Sequence, residues 1–226
     1  MNFGEIEWIL VVHYGKTAHR ATYGRLSGTT YTKDYIQLSR KPDFLAGLRT
    51  VFQPFADDGS SIPLVYKWPG GSAKGQLIPK SADRPHLTWE TGNAPSPWRM
   101  LSAPTAGTSQ TIVGDPSHNV AEDADREFDR LKTSGFGQPY LLAIKLRNEP
   151  NTLHLRVHVS NPSSDISWAD INNAPPDIVD LANSTSQNSA LSWKLYDAND
   201  DNVLYFDADV KANPWRVTKP KSIIGK

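Results

Sequence analysis

Two short runs, YLLAIKL at residues 140–146 and LHLRVHV at residues 153–159, constrain the fold more than any other part of the chain. Each has the length and apolar character of a strand, and the tetrapeptide NEPN between them reads as a turn, so together they predict an antiparallel hairpin. In the second run Leu153, Leu155, Val157 and Val159 fall on one face and His154, Arg156 and His158 on the other. That second face reads as a solvated cationic surface. The two histidines stand roughly 13 Å apart at the strand rise, too far to share one metal ion.

Further strands are predicted at 7–14 (EWILVVHY, a buried strand that ends at Gly15), 35–38, 64–68, 191–196 and 203–206. Residues 20–27 alternate loosely and lead into a polar loop at 28–34. A short helix is expected within 39–52, where Pro42 stands early and Phe44, Leu45, Leu48, Val51 and Phe52 recur at helical spacing. A second is expected over 119–131. Asn119 and Glu122 fit a capping pair there, Val120, Ala124, Phe128 and Leu131 form one stripe, and Glu122 with Arg126 is an i,i+4 ion pair. A third follows Pro175 and Pro176. Residues 90–119 are rich in Pro, Gly, Ser and Thr and read as a long irregular stretch, either a functional loop or a mobile one. The expected class is α+β, mainly β: a barrel-like antiparallel sheet with short helices in one domain over 1–210, followed by a basic tail or linker over 211–226.

Composition narrows the function. The chain has no cysteine, so disulfides, thiolate metal sites and cysteine nucleophiles are all excluded. No window approaches the length of an apolar membrane span, and the opening residues carry Glu5 and Glu7 where an export signal would be basic. A soluble cytoplasmic protein that makes no membrane contact is the expectation. Net charge is zero, which argues against bulk coating of nucleic acid. The sum hides an asymmetry, since residues 1–100 hold 12 Lys and Arg against 8 Asp and Glu.

The stretch at 66–89, YKWPGGSAKGQLIPKSADRPHLTW, lies in that basic half. Its prolines and glycines argue against a helix or a central strand, and Lys67, Lys74, Lys80, Arg84 and His86 meet only Asp83 as a local acid. It reads as a projecting arm able to follow phosphates and reach base edges, or as a plain surface hairpin. Two other chemistries are open. Pro176-Asp177 with Asp209-Val210-Lys211 has the pattern of a magnesium-dependent nuclease, two carboxylates for the metal and a lysine for the water. Seven tryptophans in an Asn/Ser/Thr-rich chain could form a carbohydrate-binding surface, although Trp8, Trp168 and Trp193 lie in or beside strand-like or apolar runs that suit a core. The nucleophile elbow, phosphate-binding glycine loop and paired-histidine zinc motif are absent.

The order of these pieces resembles the amino-terminal effector-binding domain of EcoRII-type restriction endonucleases, a pseudobarrel of the B-three DNA-binding superfamily. The likeness covers roughly residues 8–160: the apolar first strand, Arg25-Leu26-Ser27 opening a Thr/Gly-rich loop, the leucine-bearing helix running to Phe52 and Pro54, the basic arm ending at Thr88 and Trp89, and LLAIKL with its alternating partner. The resemblance implies a seven-stranded antiparallel pseudobarrel that grips double-stranded DNA in the major groove with two arms and reads a CCWGG-like site. It implies a monomer without catalytic residues, metal or cofactor of its own, linked to a carboxy-terminal nuclease domain that uses magnesium. Position by position, it points to Tyr31, Thr32, Lys33 and Asp34 in one arm and Lys74, Gln76, Lys80, Arg84, His86 and Trp89 in the other.

Overall fold

The structure, a computed structural model, describes residues 3–13, 35–55, 59–69, 71–79, 84–89, 129, 137–161, 169–185, 191–199, 203–210 and 213–217. Its strands are β1 (Phe3–His13), β2 (Tyr35–Gln37), β3 (Ile62–Trp68), β4 (Gly71–Ile78), β5 (His86–Trp89), β6 (Pro139–Leu146), β7 (Thr152–Val159), β8 (Ala169–Asp170), β9 (Leu191–Leu195), β10 (Tyr205–Asp207) and β11 (Trp215–Arg216). Among the described residues, two α-helices can be delimited, α1 (Pro42–Val51) and α2 (Pro176–Ser184). The sheet runs β11-β10-β1-β6-β7-β3-β4-β5-β2, with β9 beside β1 and β8 beside β7.

β1 organises this sheet because its side chains are apolar on both faces. Trp8, Leu10 and Val12 point into one core and Ile6, Ile9 and Val11 into the other, and a register irregularity between Ile6 and Trp8 adjusts the alternation. One edge of β1 pairs with β6, while the other is shared by β10 at its start and β9 at its end. Both faces therefore need a cover. On the first, α1 buries Phe44, Leu48 and Val51; Phe44 and Phe52 meet the Trp8 ring at centroid distances of 6.3 and 5.8 Å. Pro42 opens that helix, Asp43 sits in its first turn and Arg49 in its last, as the helix dipole favours. On the second face α2 buries Ile178 and Ala182.

The β6–β7 hairpin forms as expected, antiparallel from Pro139↔Val159 to Ile144↔His154, and Asn151 takes the left-handed conformation (φ 53°) in its turn. The hairpin lies between β1 and β3, so β7 meets β3 running in the same direction. This corrects the expected seven-stranded antiparallel pseudobarrel. The described sheet has eleven strands on an open path, and both β3–β7 and β7–β8 are parallel.

Three other expectations change. The second face of β7 is not solvated: His154, Arg156 and His158 are buried beneath Phe206 and Trp215, carried over from β10 and β11. The stretch 66–89 is not a free arm. Much of it is strand, and β4 is a central strand between β3 and β5. Gly75 allows this, because a Cβ there would stand 2.0 Å from Thr88 O and 2.5 Å from the Tyr66 ring. Within 211–226, Trp215–Arg216 form a strand, and Trp215 is buried against Phe206. Residues 20–34, the segment 90–119 and all of the 119–131 helix save Asp129, which is helical, lie outside the described residues.

Candidate functional site

The four strands β3, β4, β5 and β2 form a wing whose two faces differ. The alternation in β3 and β4 turns Ile62, Leu64, Tyr66, Trp68, Ala73 and Leu77 into the first core, joined by Leu87 and Ile36. Pro63, Val65, Lys67, Ser72, Lys74 and Gln76 alternate with them and are exposed. Register then sets the neighbours across the wing. Gln76 stands opposite Pro63 on one side and Thr88 on the other, and Thr88 opposite Tyr35. Lys74 faces Val65, and His86 lies between Ile78 and Gln37.

The wing is tethered at its outer side. Leu38 N donates to Pro85 O at 2.8 Å, and Thr88 Oγ1 donates to Gln76 O at 3.3 Å. The Tyr35 and His86 rings are tilted by 39° at 4.7 Å between centroids. Partial burial, and then the Arg84 charge, hold His86 below its ordinary pKa, so it presents a neutral imidazole near pH 7. Strands β2 to β5 contain no aspartate or glutamate. Glu149 in the β6–β7 turn accepts from Lys67 Nζ of β3 at 3.1 Å and contacts His154 Nε2 at 3.1 Å. Burial opposes ionisation of Glu149, but the Lys67 hydrogen bond and the His154 charge carry its pKa below the ordinary value.

The structure brings together only part of the predicted contact set. Lys74 and Gln76 share the exposed face, His86 is half-buried on that face, and half-exposed Arg84 stands two residues before β5. Trp89 pairs through its backbone with Gly75. Tyr31, Thr32, Lys33, Asp34 and Lys80 lie outside the described residues. Tyr35, Gln37, Ser72 and Thr88 were missed as members of this surface. Their signal was the alternation Ser72-Lys74-Gln76 against Ala73-Gly75-Leu77, which strand pairing extends to β5 and β2.

The other two chemistries find less. Asp177 is in the first turn of α2 and is ion-paired with Lys194 of β9, and Asp209 lies in the turn after β10, where its backbone N–H donates to Asp207 Oδ1 at 3.0 Å. Lys211 lies outside the described residues, and among those described no three His, Asp or Glu side chains are arranged to hold a metal. Trp8, Trp68 and Trp215 are buried, so none of these three offers an open ring for a sugar, and Trp193 is half-buried against the core. Among the described residues no helix is long and apolar enough to cross a membrane.

No protein-family model matches the chain, and no curated protein does. Among solved structures, the N-terminal domain of Helicobacter pylori LlaJI.R1 is similar to this chain at a TM-score of 0.36 and 10% identity, over 84% of this chain and 99% of that one. A likeness of that size fixes neither fold nor function.

Proposed function

We propose that the chain is a sequence-specific double-stranded DNA-binding domain, the target- or effector-recognition part of a type II restriction endonuclease, reading a CCWGG-like site in the major groove. The observation that supports this most is the open face of the wing, which is polar and cationic, and whose strands carry no acid. The major groove, about 12 Å wide, admits two adjacent strands. β4 and β5 are the pair that carries Lys74, Gln76 and His86, with Arg84 in the connection between them. Lysine and arginine serve phosphate or guanine, and Gln76 serves adenine or phosphate. Tyr31, Thr32, Lys33 and Lys80 join the contact set in this reading, with Asp34 accepting from a cytosine amino group and Trp89 bordering the surface.

A neutral chain gains little from counterion release, so preference for one site must come mainly from base edges. In this reading the domain is a cytoplasmic monomer without a cofactor, and cutting belongs to a linked nuclease domain that uses magnesium. A gel-shift titration at about 0.15 M salt, comparing a CCWGG duplex with a scrambled one, tests the proposal. Preference for the first duplex without cleavage on adding Mg²⁺ is expected. Binding to neither would remove that site, and cleavage lost in Lys211→Ala would transfer the function to the nuclease reading.

A further inference from the structure

The second face of β7 carries three basic side chains that the wing does not use. His154, Arg156 and His158 are 2%, 2% and 1% exposed. Two of them have partners. Arg156 donates to Leu155 O at 2.7 Å and to Ala208 O at 2.8 Å, with its guanidinium 4.9 Å from the Phe206 ring centre, and His154 has Glu149. His158 has none: neither Nδ1 nor Nε2 meets a hydrogen-bond partner among the described residues, and its ring lies 5.8 Å from that of Trp215.

Among the described residues, no element around His158 offers its ring nitrogens an acceptor. On its own strand Arg156 presents positive charge. Tyr140 is its cross-strand partner on β6, and Ala169 its partner on β8, where the next residue, Asp170, turns its carboxylate to Asn172 N and Nδ2. Asp207 and Asp209, in and just after β10, act on Arg156. Arg216, beside Trp215 on β11, has its guanidinium over the Phe3 ring. A proton on His158 in this setting would be a buried charge without a partner, and the chain must reach water to accept it.

The covers differ in strength. β6 is paired along its length with both β1 and β7. β11 is a two-residue edge strand held by the pairs Tyr205↔Arg216 and Phe206↔Trp215 and by Asp207 N donating to Pro214 O at 2.8 Å. Asn213, in the left-handed conformation (φ 51°), marks the turn that brings it back. We propose that β11 with Trp215 is an acid-released cap: protonation of His158 lifts it from β7 while the rest of the sheet stays paired.

Burial, and then Arg156, push the His158 pKa down to about 3 from 6.5. A cap whose open form lets His158 titrate at 6.5 therefore opens about thirtyfold more often at pH 5 than at pH 7.5. Hydrogen exchange on the full chain reads this directly. After correction for intrinsic rates, protection in a peptide covering 213–217 should fall about thirtyfold between those pH values and stay below that of peptides within β6 and β7 at both, because the cap opens without them; His158→Phe should abolish the fall. Unchanged protection at 213–217, protection there no lower than in β6 and β7, or the same fall in His158→Phe would each overturn the proposal. If His158→Phe does not fold, histidine NMR on the wild-type chain decides: the ring that titrates together with the exchange must be the one assigned to His158.

Discussion

β4 and β7 have nearly the same sequence logic and opposite fates. Both alternate polar with small or apolar residues, Ser72-Lys74-Gln76 in one and His154-Arg156-His158 in the other. The polar row of β4 is open, while that of β7 is buried beneath Phe206 and Trp215. Nothing within either strand distinguishes them. The cover on β7 comes from residues about fifty positions further along the chain, and no described element lies over the open face of β4. The difference shows that a polar row in a sheet belongs to the surface only when no later segment returns to cover it. Buried charge elsewhere in the sheet is also settled internally, as where Lys145, 2% exposed, donates to Glu7 Oε2 at 3.2 Å and to Leu146 O at 2.7 Å. On the wing, Lys74 remains exposed to solvent.

The largest test of this contrast is to strip the cover. Trp215→Ala should cost about 3–5 kcal/mol, as large-to-small changes in a core do, whereas Val65→Ala on the open face should stay within about 0.5 kcal/mol by urea denaturation. Equal losses would mean that the two faces do not differ in burial. Arg156→Ala comes next, at about 3 kcal/mol, because it leaves Leu155 O and Ala208 O without their donors; Arg156→Met should recover part of the loss through packing.

Acid should act on the covered row and spare the open one. The unfolded chain takes up a proton at the histidine value of 6.5, but folded His158 does so only near 3. Its contribution to stability is therefore full above 6.5 and lost as the pH falls toward 3. About 2 kcal/mol should be gone by pH 5, and urea titrations of the wild type and His158→Phe would show it as a pH slope present only in the former. Gly75→Ala should cost about 1–3 kcal/mol through its clash with Thr88 O, while its neighbour Lys74→Ala should leave the melting temperature unchanged. The smallest effect separates fold from binding: Lys74→Ala should lower the slope of log affinity against log salt by about one if that lysine meets a phosphate.

Local signals made most elements legible. Strand-length apolar runs located β1, β6, β7 and β9, and Pro42 with the Phe44-Leu48-Val51 spacing located α1. What could not be read was long-range. The parallel joint between β3 and β7 depends on where a hairpin inserts, and the burial of His158 depends on Trp215. β4 was obscured for a different reason. Pro69 and Gly75 look like breakers, yet one occupies a turn and the other admits the Tyr66 ring. On the wing, the polar character of Lys74, Arg84 and His86 was legible from residue type, while Gln76 was named only through the resemblance. Thr88, Tyr35 and Gln37 required the register of strands separated by loops.

The central place of β1 also has a consequence for how the protein is made. Its edge partners β9 and β10 come from residues 191–195 and 205–207, near the other end of the sequence. During synthesis the ribosome releases the Trp8–Val12 run well before those partners, so the run must wait with one edge unpaired while the residues between them are translated. That interval is when the polypeptide is most open to clumping with its neighbours or to capture by a chaperone.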